Sequence, residues 1–381
     1  MIIPTPTPPP SAASLRRLIP PGTTNLLLRR ALSSLAAPFS STSTSSSTSS
    51  PDADANAQQQ QQQQQRDFGF AQVSPDEHKT KVKEVFTSVA ESYDAMNDFM
   101  SFFQHRLWKD RFVGTLRPFA GQHHVDVAGG TGDVAFRVLD AIREAERRER
   151  EDRVHRLDDD DDGAAADVVD PGRVTVCDIN AAMLAEGRRK AEASLGGGAA
   201  ADGLAWIEAD AETLPFDDES FDSYSISFGI RNVTRMDVAL REAHRVLRKG
   251  GHFCCLEFSE VNSEVLRQMY DLYSMNVIPY VGAAYAGDAA SYQYLVESIR
   301  RFPNQVRFRF CGIAESRRAC PDRSLTPQQR AKSPTLRPHR VNGSAWWQEQ
   351  FAAAIAAEGF SRVRYENLLD GVVAIHSGFK L

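Results

Sequence analysis

Absences constrain this 381-residue chain before any motif is read. Its five cysteines include no Cys-X-X-Cys pair, which excludes a zinc ribbon and a disulfide framework. Adjacent Cys254 and Cys255 lie in an apolar run and read as buried core thiols. No uninterrupted apolar stretch of about 18 residues occurs, so no spanning helix is expected. A basic surplus is missing too: 44 Lys and Arg face 50 Asp and Glu, a net charge of −6. That balance argues against a general nucleic-acid binder. Acids are wholly absent from residues 1–50, which carry Arg16, Arg17, Arg29 and Arg30 among Leu, Ala, Ser and Thr. An acid-free, Arg- and Ser-rich start has the composition of an organelle transit peptide, mitochondrial ahead of chloroplast. Pro20, Pro21 and the paired arginines interrupt any secretory apolar region.

The Ser/Thr tract over 40–50 and the eight glutamines from Gln58 to Gln65 cannot bury enough apolar surface to offset ordering. Residues 1–67 therefore read as transit peptide and disordered linker, and 68–381 as one folded domain. A polar insert over 143–172 includes Asp158 to Asp162, a solvated run and not a metal site. From Ser74 the pattern becomes regular. Ser74, Pro75 and Glu77 make a helix start, and Val82, Val85, Phe86, Val89 and Tyr93 follow at helical spacing. Strands then alternate with helices: 123–129, 173–179, 204–210, 221–229 and 251–258. Thr234 and Asp237 read as a capping box for a helix from Met236 to Lys249, closed by Gly250. Segments 361–369 and 371–379 read as a terminal antiparallel hairpin around Asp370. The expectation is an α/β, Rossmann-like, seven-stranded and mostly parallel sheet with that hairpin at its end, the layout of class I S-adenosylmethionine-dependent methyltransferases. Six parallel strands, as in dinucleotide dehydrogenases, fit less well.

The turn after the first of these strands is Asp126-Val127-Ala128-Gly129-Gly130-Thr131-Gly132-Asp133. Glycines at a strand–helix turn let backbone approach a ligand at the carboxyl end of the sheet. Such a turn alone serves NAD and flavin equally well. Asp178 ends the next strand, placed for two ribose hydroxyls, and Asp210 with Ala211 follows the third, placed for an adenine edge. A carboxylate at the third strand end favours the methyl donor over NAD.

Tyr93-Asp94-Ala95-Met96-Asn97-Asp98, continuing to Ser101, His105 and Trp108, resembles the first signature of the ubiquinone/menaquinone C-methyltransferases. Arg245 to Gly251 through Glu257-Phe258-Ser259 resembles the second, and Ile226 to Thr234 and Tyr365 to Leu381 are similar as well. Arg248-Lys249 stands where the family usually has Lys-Pro. The resemblance covers about 68–305 and 349–381, and with the acid-free leader it points to the mitochondrial branch. It implies a methyltransferase domain whose donor, S-adenosylmethionine, is contacted by Thr131, Asp178, Asp210, Ala211 and Ser227, with Gly130 and Gly132 in the turn, and no metal. The implied acceptor is 2-methoxy-6-polyprenyl-1,4-benzoquinol, methylated on carbon in ubiquinone biosynthesis. It also implies a multi-subunit biosynthetic complex and peripheral contact with the matrix side of the inner membrane, and leaves a homodimer open.

Carbon methylation needs a phenol deprotonated from a pKa of about 10. Arg231 and Asn232 are the expected phenol-holding pair; the alternative is that Arg231 pairs with a structural carboxylate and Asn232 caps a turn. His105 is a candidate base, and Tyr93 and Asp94 are expected to help close a lid. The Met- and aromatic-rich stretch 264–300 is the candidate tail channel, with plain core as the alternative. Residues 306–348 break the pattern, with eight Arg, four Pro and neither helical nor strand periodicity. They read as a retained intron absent from the working enzyme, since removal joins RRFPNQ to the helix EQFAAAIAAEGF. A lineage-specific basic loop is the alternative.

Overall fold

The computed structural model describes residues 66–68, 71–157, 170–195, 203–276, 293–302 and 346–381. The expected transit peptide and most of the linker lie outside them, as do 158–169 of the polar insert and nearly all of 306–348. The first described element is β1 (Arg66–Phe68), which pairs antiparallel with β2 (Ala71–Val73).

Helix α1 (Pro75–Val89) starts as expected, Ser74 accepting from the Glu77 amide. Its apolar stripe Val82, Val85, Phe86 and Val89 packs together with Tyr93 as expected, but the helix itself stops at Val89. A 3-10 turn at Ala90–Ser92 intervenes, and Tyr93 opens α2 (Tyr93–Ser101), followed by α3 (Gln104–Leu116). Alternation then gives β3 (His123–Val127), α4 (Asp133–Leu157), β4 (Arg173–Asp178), α5 (Ala181–Leu195) and β5 (Leu204–Glu208). Next come β6 (Phe221–Ser227), α6 (Met236–Val246), β7 (Leu247–Phe258), α7 (Glu264–Asn276) and a helix α8 over 293–302. The chain closes with α9 (Trp346–Ala357), β8 (Ser361–Leu368) and β9 (Val373–Phe379).

The strand order β5-β4-β3-β6-β7-β9-β8 makes seven strands, the first five parallel and the last two antiparallel. This is the expected sheet. Burial on both faces explains the apolar run Phe253-Cys254-Cys255-Leu256 of β7. Tyr224, Ile226, Leu240 and Phe351 belong to one core cluster, while Phe112, Leu139, Val176 and Ile375 belong to another. Between β3 and β6 runs a buried polar ladder. Gln122 Nε2 donates to Ser223 Oγ at 2.8 Å, and the His124 ring bridges Ser223 Oγ (2.6 Å) and Ser225 Oγ (2.9 Å). Ser225 Oγ donates to Asp126. With that hydroxyl proton committed, His124 donates from Nε2 and accepts at Nδ1. Burial holds His124 neutral, its pKa pushed down to about 3, and pushes Asp126 up to about 7.

Three boundaries differ from the sequence reading. The polar insert is not loop throughout, because α4 continues to Leu157, and Arg148–Glu144 and Arg153–Glu149 pairs at i,i+4 hold its charged half helical. Helix α6 stops at Val246 instead of Lys249, since Leu247 already pairs with Phe221 in the sheet. Its N-cap is Arg235 without a side-chain cap; Thr234 Oγ1 instead meets His78 Nδ1 at 3.3 Å. Finally, residues 346–348 belong to α9. Trp347 is buried, its ring 5.1 Å from Phe302 and 5.7 Å from Phe351, and Gln348 Nε2 donates to Ser259 Oγ at 2.6 Å. The basic excursion therefore ends before Trp346.

Candidate active site

Two cavities meet at the carboxyl ends of β3, β4 and β6. The first, about 780 Å³ with its mouth included, is lined by Gly130, Asp178, Asp210, Ala211, Ser227 and Asn232 beneath Lys79 and Phe86 of α1. The glycine turn makes its floor. A Cβ on Gly129 would fall 2.7 Å from Val176 and 2.8 Å from Asp126 Oδ2, and Gly130 sits at φ +56°. Asp178 accepts from the Gly130 amide (2.9 Å) and the Asn180 amide (2.8 Å). Burial raises its pKa to about 6 while those amides pull the other way. Asp210 accepts from Lys79 Nζ at 2.7 Å and from the Glu212 amide at 2.9 Å. Ser227 Oγ is buried with no partner among the described residues. A buried polar atom of that kind at a cavity marks a place for a ligand.

Helix α1 roofs this cavity. Lys83 reaches Glu208 at 2.9 Å, and Asn180 Nδ2 donates to the Lys83 carbonyl at 2.9 Å. Thr131, expected in the donor site, is 2% exposed and lies outside the lining; its hydroxyl donates to Asp94 at 3.0 Å. Gly132 also faces elsewhere: a Cβ there would strike Trp206 at 2.6 Å.

The second cavity, about 1280 Å³ with its mouth, is mostly apolar. Leu266, Met269 and Tyr273 of α7 and Leu295 and Ile299 of α8 line it, so part of the stretch 264–300 does bound a cavity; residues 277–292 lie outside the described ones. Its polar wall carries His105, Lys109 and Arg231. Tyr93 and Phe228 line both cavities and form the partition between them. Phe228 adopts φ +54°, backbone that a bulky residue rarely takes and that concentrates at functional sites. Burial raises the pKa of Tyr93, against the pull of Lys109 and Arg231.

Arg231 pairs with a structural carboxylate, the alternative reading. Its Nη1 donates to Glu257 Oε1 at 2.9 Å and to the Phe228 carbonyl, and its guanidinium lies 5.4 Å from the Phe258 ring. It nevertheless lines the second cavity, and its Nε has no partner among the described residues. Asn232 does not join it there. The 3-10 turn Ile230–Asn232 sends Asn232 to the first cavity, where Oδ1 accepts from Tyr294 Oη at 3.1 Å. His105 Nε2 lies 2.8 Å from Asp98 Oδ1, and Arg106 grips the same carboxylate at 2.8 and 2.6 Å. Its Nδ1 is buried without a partner among the described residues. Burial, then Lys109, lower the His105 pKa against the pull of Asp98. Tyr93 and Asp94 open α2 instead of ending α1, and Asp94 ties Thr131 to Lys190 of α5.

Sequence reasoning passed over Glu257 and Lys109. Glu257 is fully buried in β7, and the signal for it was one carboxylate inside GHFCCLEF. Lys109, also buried, donates to Asp133 Oδ2 at 2.7 Å across the mouth of the glycine turn. Among the described residues no group of His, Cys, Asp and Glu is arranged to hold a metal ion.

Residues 74–311 match the ubiE/COQ5 methyltransferase family. A 2-methoxy-6-polyprenyl-1,4-benzoquinol methylase, mitochondrial, of Oryza sativa is 45% identical over 82% of this chain and 88% of its own. The protein of that name from Arabidopsis thaliana is 46% identical over 82% and 90%, and that from Homo sapiens 44% over 82% and 84%. The matched stretch runs from the roof helix α1 through the glycine turn and both cavity walls. A family match over more than half of the chain, with relatives about 45% identical over most of their own length, makes this chain a member of the ubiE/COQ5 methyltransferase family.

Proposed function

We propose that this chain methylates a ring carbon of 2-methoxy-6-polyprenyl-1,4-benzoquinol, with S-adenosylmethionine as donor, in ubiquinone biosynthesis. The carrying observation is the pair of cavities separated by Tyr93 and Phe228: one polar with two strand-end carboxylates, the other apolar with a single buried guanidinium on its wall. The first cavity suits the donor. Asp178 offers free lone pairs for a ribose diol, Asp210 and Ala211 border the adenine position, and Ser227 Oγ, beside Phe228 of the partition, lacks a partner among the described residues. Once bound, the donor supplies an electrophilic methyl group.

The acceptor ring belongs in the second cavity. Arg231 holds a phenol oxygen and favours its anion, because the guanidinium stays charged while Glu257 fixes its plane. The anion pushes electron density onto the adjacent ring carbon. His105, neutral and braced by Asp98, is the base for the phenol proton, directly or through one water. Phe228 and Tyr93 align the ring with the donor cavity, and such positioning supplies much of the acceleration. Apolar α7 and α8 take the start of the tail.

Because the acceptor dissolves in lipid and no described helix is long and apolar enough to cross a membrane, the working place proposed is the matrix face of the mitochondrial inner membrane, by peripheral attachment. The relatives' names and the acid-free leader support the organelle. The resemblance further supports work within a multi-subunit assembly, with a homodimer to be tested by sedimentation. Complementation of a cell lacking the ring C-methylation step, with quinone intermediates identified by mass, tests the activity. A chain that binds S-adenosylhomocysteine but never methylates a demethylated quinol would overturn it in favour of a scaffold. A melting-temperature rise with NAD alone would favour a dehydrogenase.

A further inference from the structure

Large exposed apolar side chains gather at the mouth of the second cavity. Phe102 and Phe103, between α2 and α3, are 65% and 56% exposed, and Leu107 follows on α3 at 60%. On α7, Val265, Met269 and Leu272 recur at i, i+4 and i+7 and are equally exposed. Tyr273 Oη donates to the Phe99 carbonyl at 2.8 Å, and its ring lies 4.7 Å from that of Phe102, so the corner and α7 form one continuous surface. Phe102, Met269 and Leu369 also line the cavity, which makes this surface its rim. Three of the rim residues have left-handed backbone: Phe102 at φ +48°, Phe103 at +63° and Leu369 at +47°. Bulky residues pay for that conformation, and exposed ones regain little by packing inside their own chain. Scattered apolar residues on a surface are ordinary; a contiguous strained patch around an opening is an interaction site.

We infer that this rim inserts into the interfacial layer of a lipid bilayer, so that a lipid tail slides from the membrane into the cavity without crossing water. The inference rests on the proposed acceptor, and three observations select lipid over a protein partner. A protein cap over this rim would close an opening through which a tailed acceptor can enter. The segment from Phe99 to Leu107 contains no acid. Arg106 lies over the Phe103 ring, its guanidinium carbon 5.7 Å from the centroid, an aromatic–cation pairing suited to headgroup depth.

The test uses the full chain and vesicles of pure phosphatidylcholine, whose neutral surface gives the arginines of the leader no charge to follow. The variant F103N/L107Q/V265Q touches no residue lining either cavity. Asn accepts φ +63° better than Phe, and Gln suits an exposed helix position, so the fold is kept; an unchanged melting temperature verifies that. Flotation should show at least tenfold weaker vesicle partition. Turnover of a long-tailed quinol presented in vesicles should fall by a similar factor, while turnover of a short-tailed, water-soluble quinol stays at the parent's rate. Undiminished flotation overturns the inference, and so does undiminished flotation accompanied by a smaller sedimenting species, which would make the rim a contact between copies. If parent and variant differ in flotation but neither methylates the soluble quinol, the rim stands and the proposed activity falls.

Discussion

Replacing Glu257 by Gln gives the sharpest separation of fold from chemistry at this site. Glu257 and Arg231 side chains are 0% and 3% exposed and bonded at 2.9 Å, with the Arg231 and Phe258 amides also donating to the carboxylate. Gln preserves the shape but turns an amide donor toward one of those donors and leaves the guanidinium buried without its counter-charge. Breaking such a pair costs about 3–5 kcal/mol. In a domain of this size each kcal/mol moves the melting temperature by about 2–4 °C, so a fall of roughly 10 °C is expected by calorimetry. Arg231→Ala should melt similarly low and, in addition, lose at least about 100-fold in kcat with little change in donor Kd, because its cation acts mainly in the transition state. The decisive protein is Arg231→Met with Glu257→Met. Exchanging a whole buried pair for apolar residues is often close to neutral, so the melting temperature should recover most of its loss while kcat remains low. Glu257→Gln melting within a degree of the parent would refute the claim of a desolvated, coupled pair. Recovery of turnover in the double variant would make Arg231 purely structural.

Asp178→Ala should weaken donor binding by about 1.5–3 kcal/mol in calorimetric titration, the scale for hydrogen bonds to a charged group; unchanged affinity would show that the ribose is held elsewhere. With its pKa raised to about 6, Asp178 should also make donor affinity climb between pH 5 and pH 7, and Asp178→Asn should flatten that rise. His124 and His376, held neutral at about 3 and about 4, bind protons in the unfolded chain from about pH 6.5 downward, so each removes up to about 1.4 kcal/mol of stability per pH unit as acid is added. Asp126, at about 7, works in the opposite sense by taking up its proton in the fold first, so Asp126→Asn should steepen the loss seen in urea melts from pH 7 to pH 5; an unchanged slope would refute the ladder's shared titration. The working enzyme is expected to lack the basic excursion after Gln305, and Phe302 and Trp347 already touch across its two ends. A tryptic peptide from the native organelle joining Gln305 directly to Trp346-Trp347-Gln348-Glu349 would support this, and abundant peptides from within 306–345 would refute it.

The sheet was legible because its evidence is periodic and local: alternating strands and helices, acids at strand ends, a glycine turn between β3 and α4. Asp178 and Asp210 could be placed for the same reason, since the end of a parallel strand faces the crevice whatever lies far away in sequence. Long-range pairing was not legible. Nothing near Arg231 announces Glu257, 26 residues on, and two neighbours as alike as Arg231 and Asn232 part company because a 3-10 turn points successive side chains apart. Thr131 belonged to the right motif, but Asp94, from a helix well upstream, claims its hydroxyl. The end of α6 was misplaced by trusting Gly250 as a stop, when strand pairing at Leu247 had already ended the helix.

On the proposed placement of donor and acceptor, the partition made by Tyr93 and Phe228 gives the reactants separate doors. One enters under α1, where Lys79 grips Asp210, and the other at the rim between α2 and α7. Neither needs to wait for its counterpart, so initial-rate lines at several fixed levels of the second reactant should intersect instead of running parallel, and a spent donor does not trap the methylated quinol. An inhibitor designed to occupy both chambers has to thread between two aromatic rings. Its discrimination among methyltransferases would then be set by the width of that gap and not by the nucleoside half that such enzymes share.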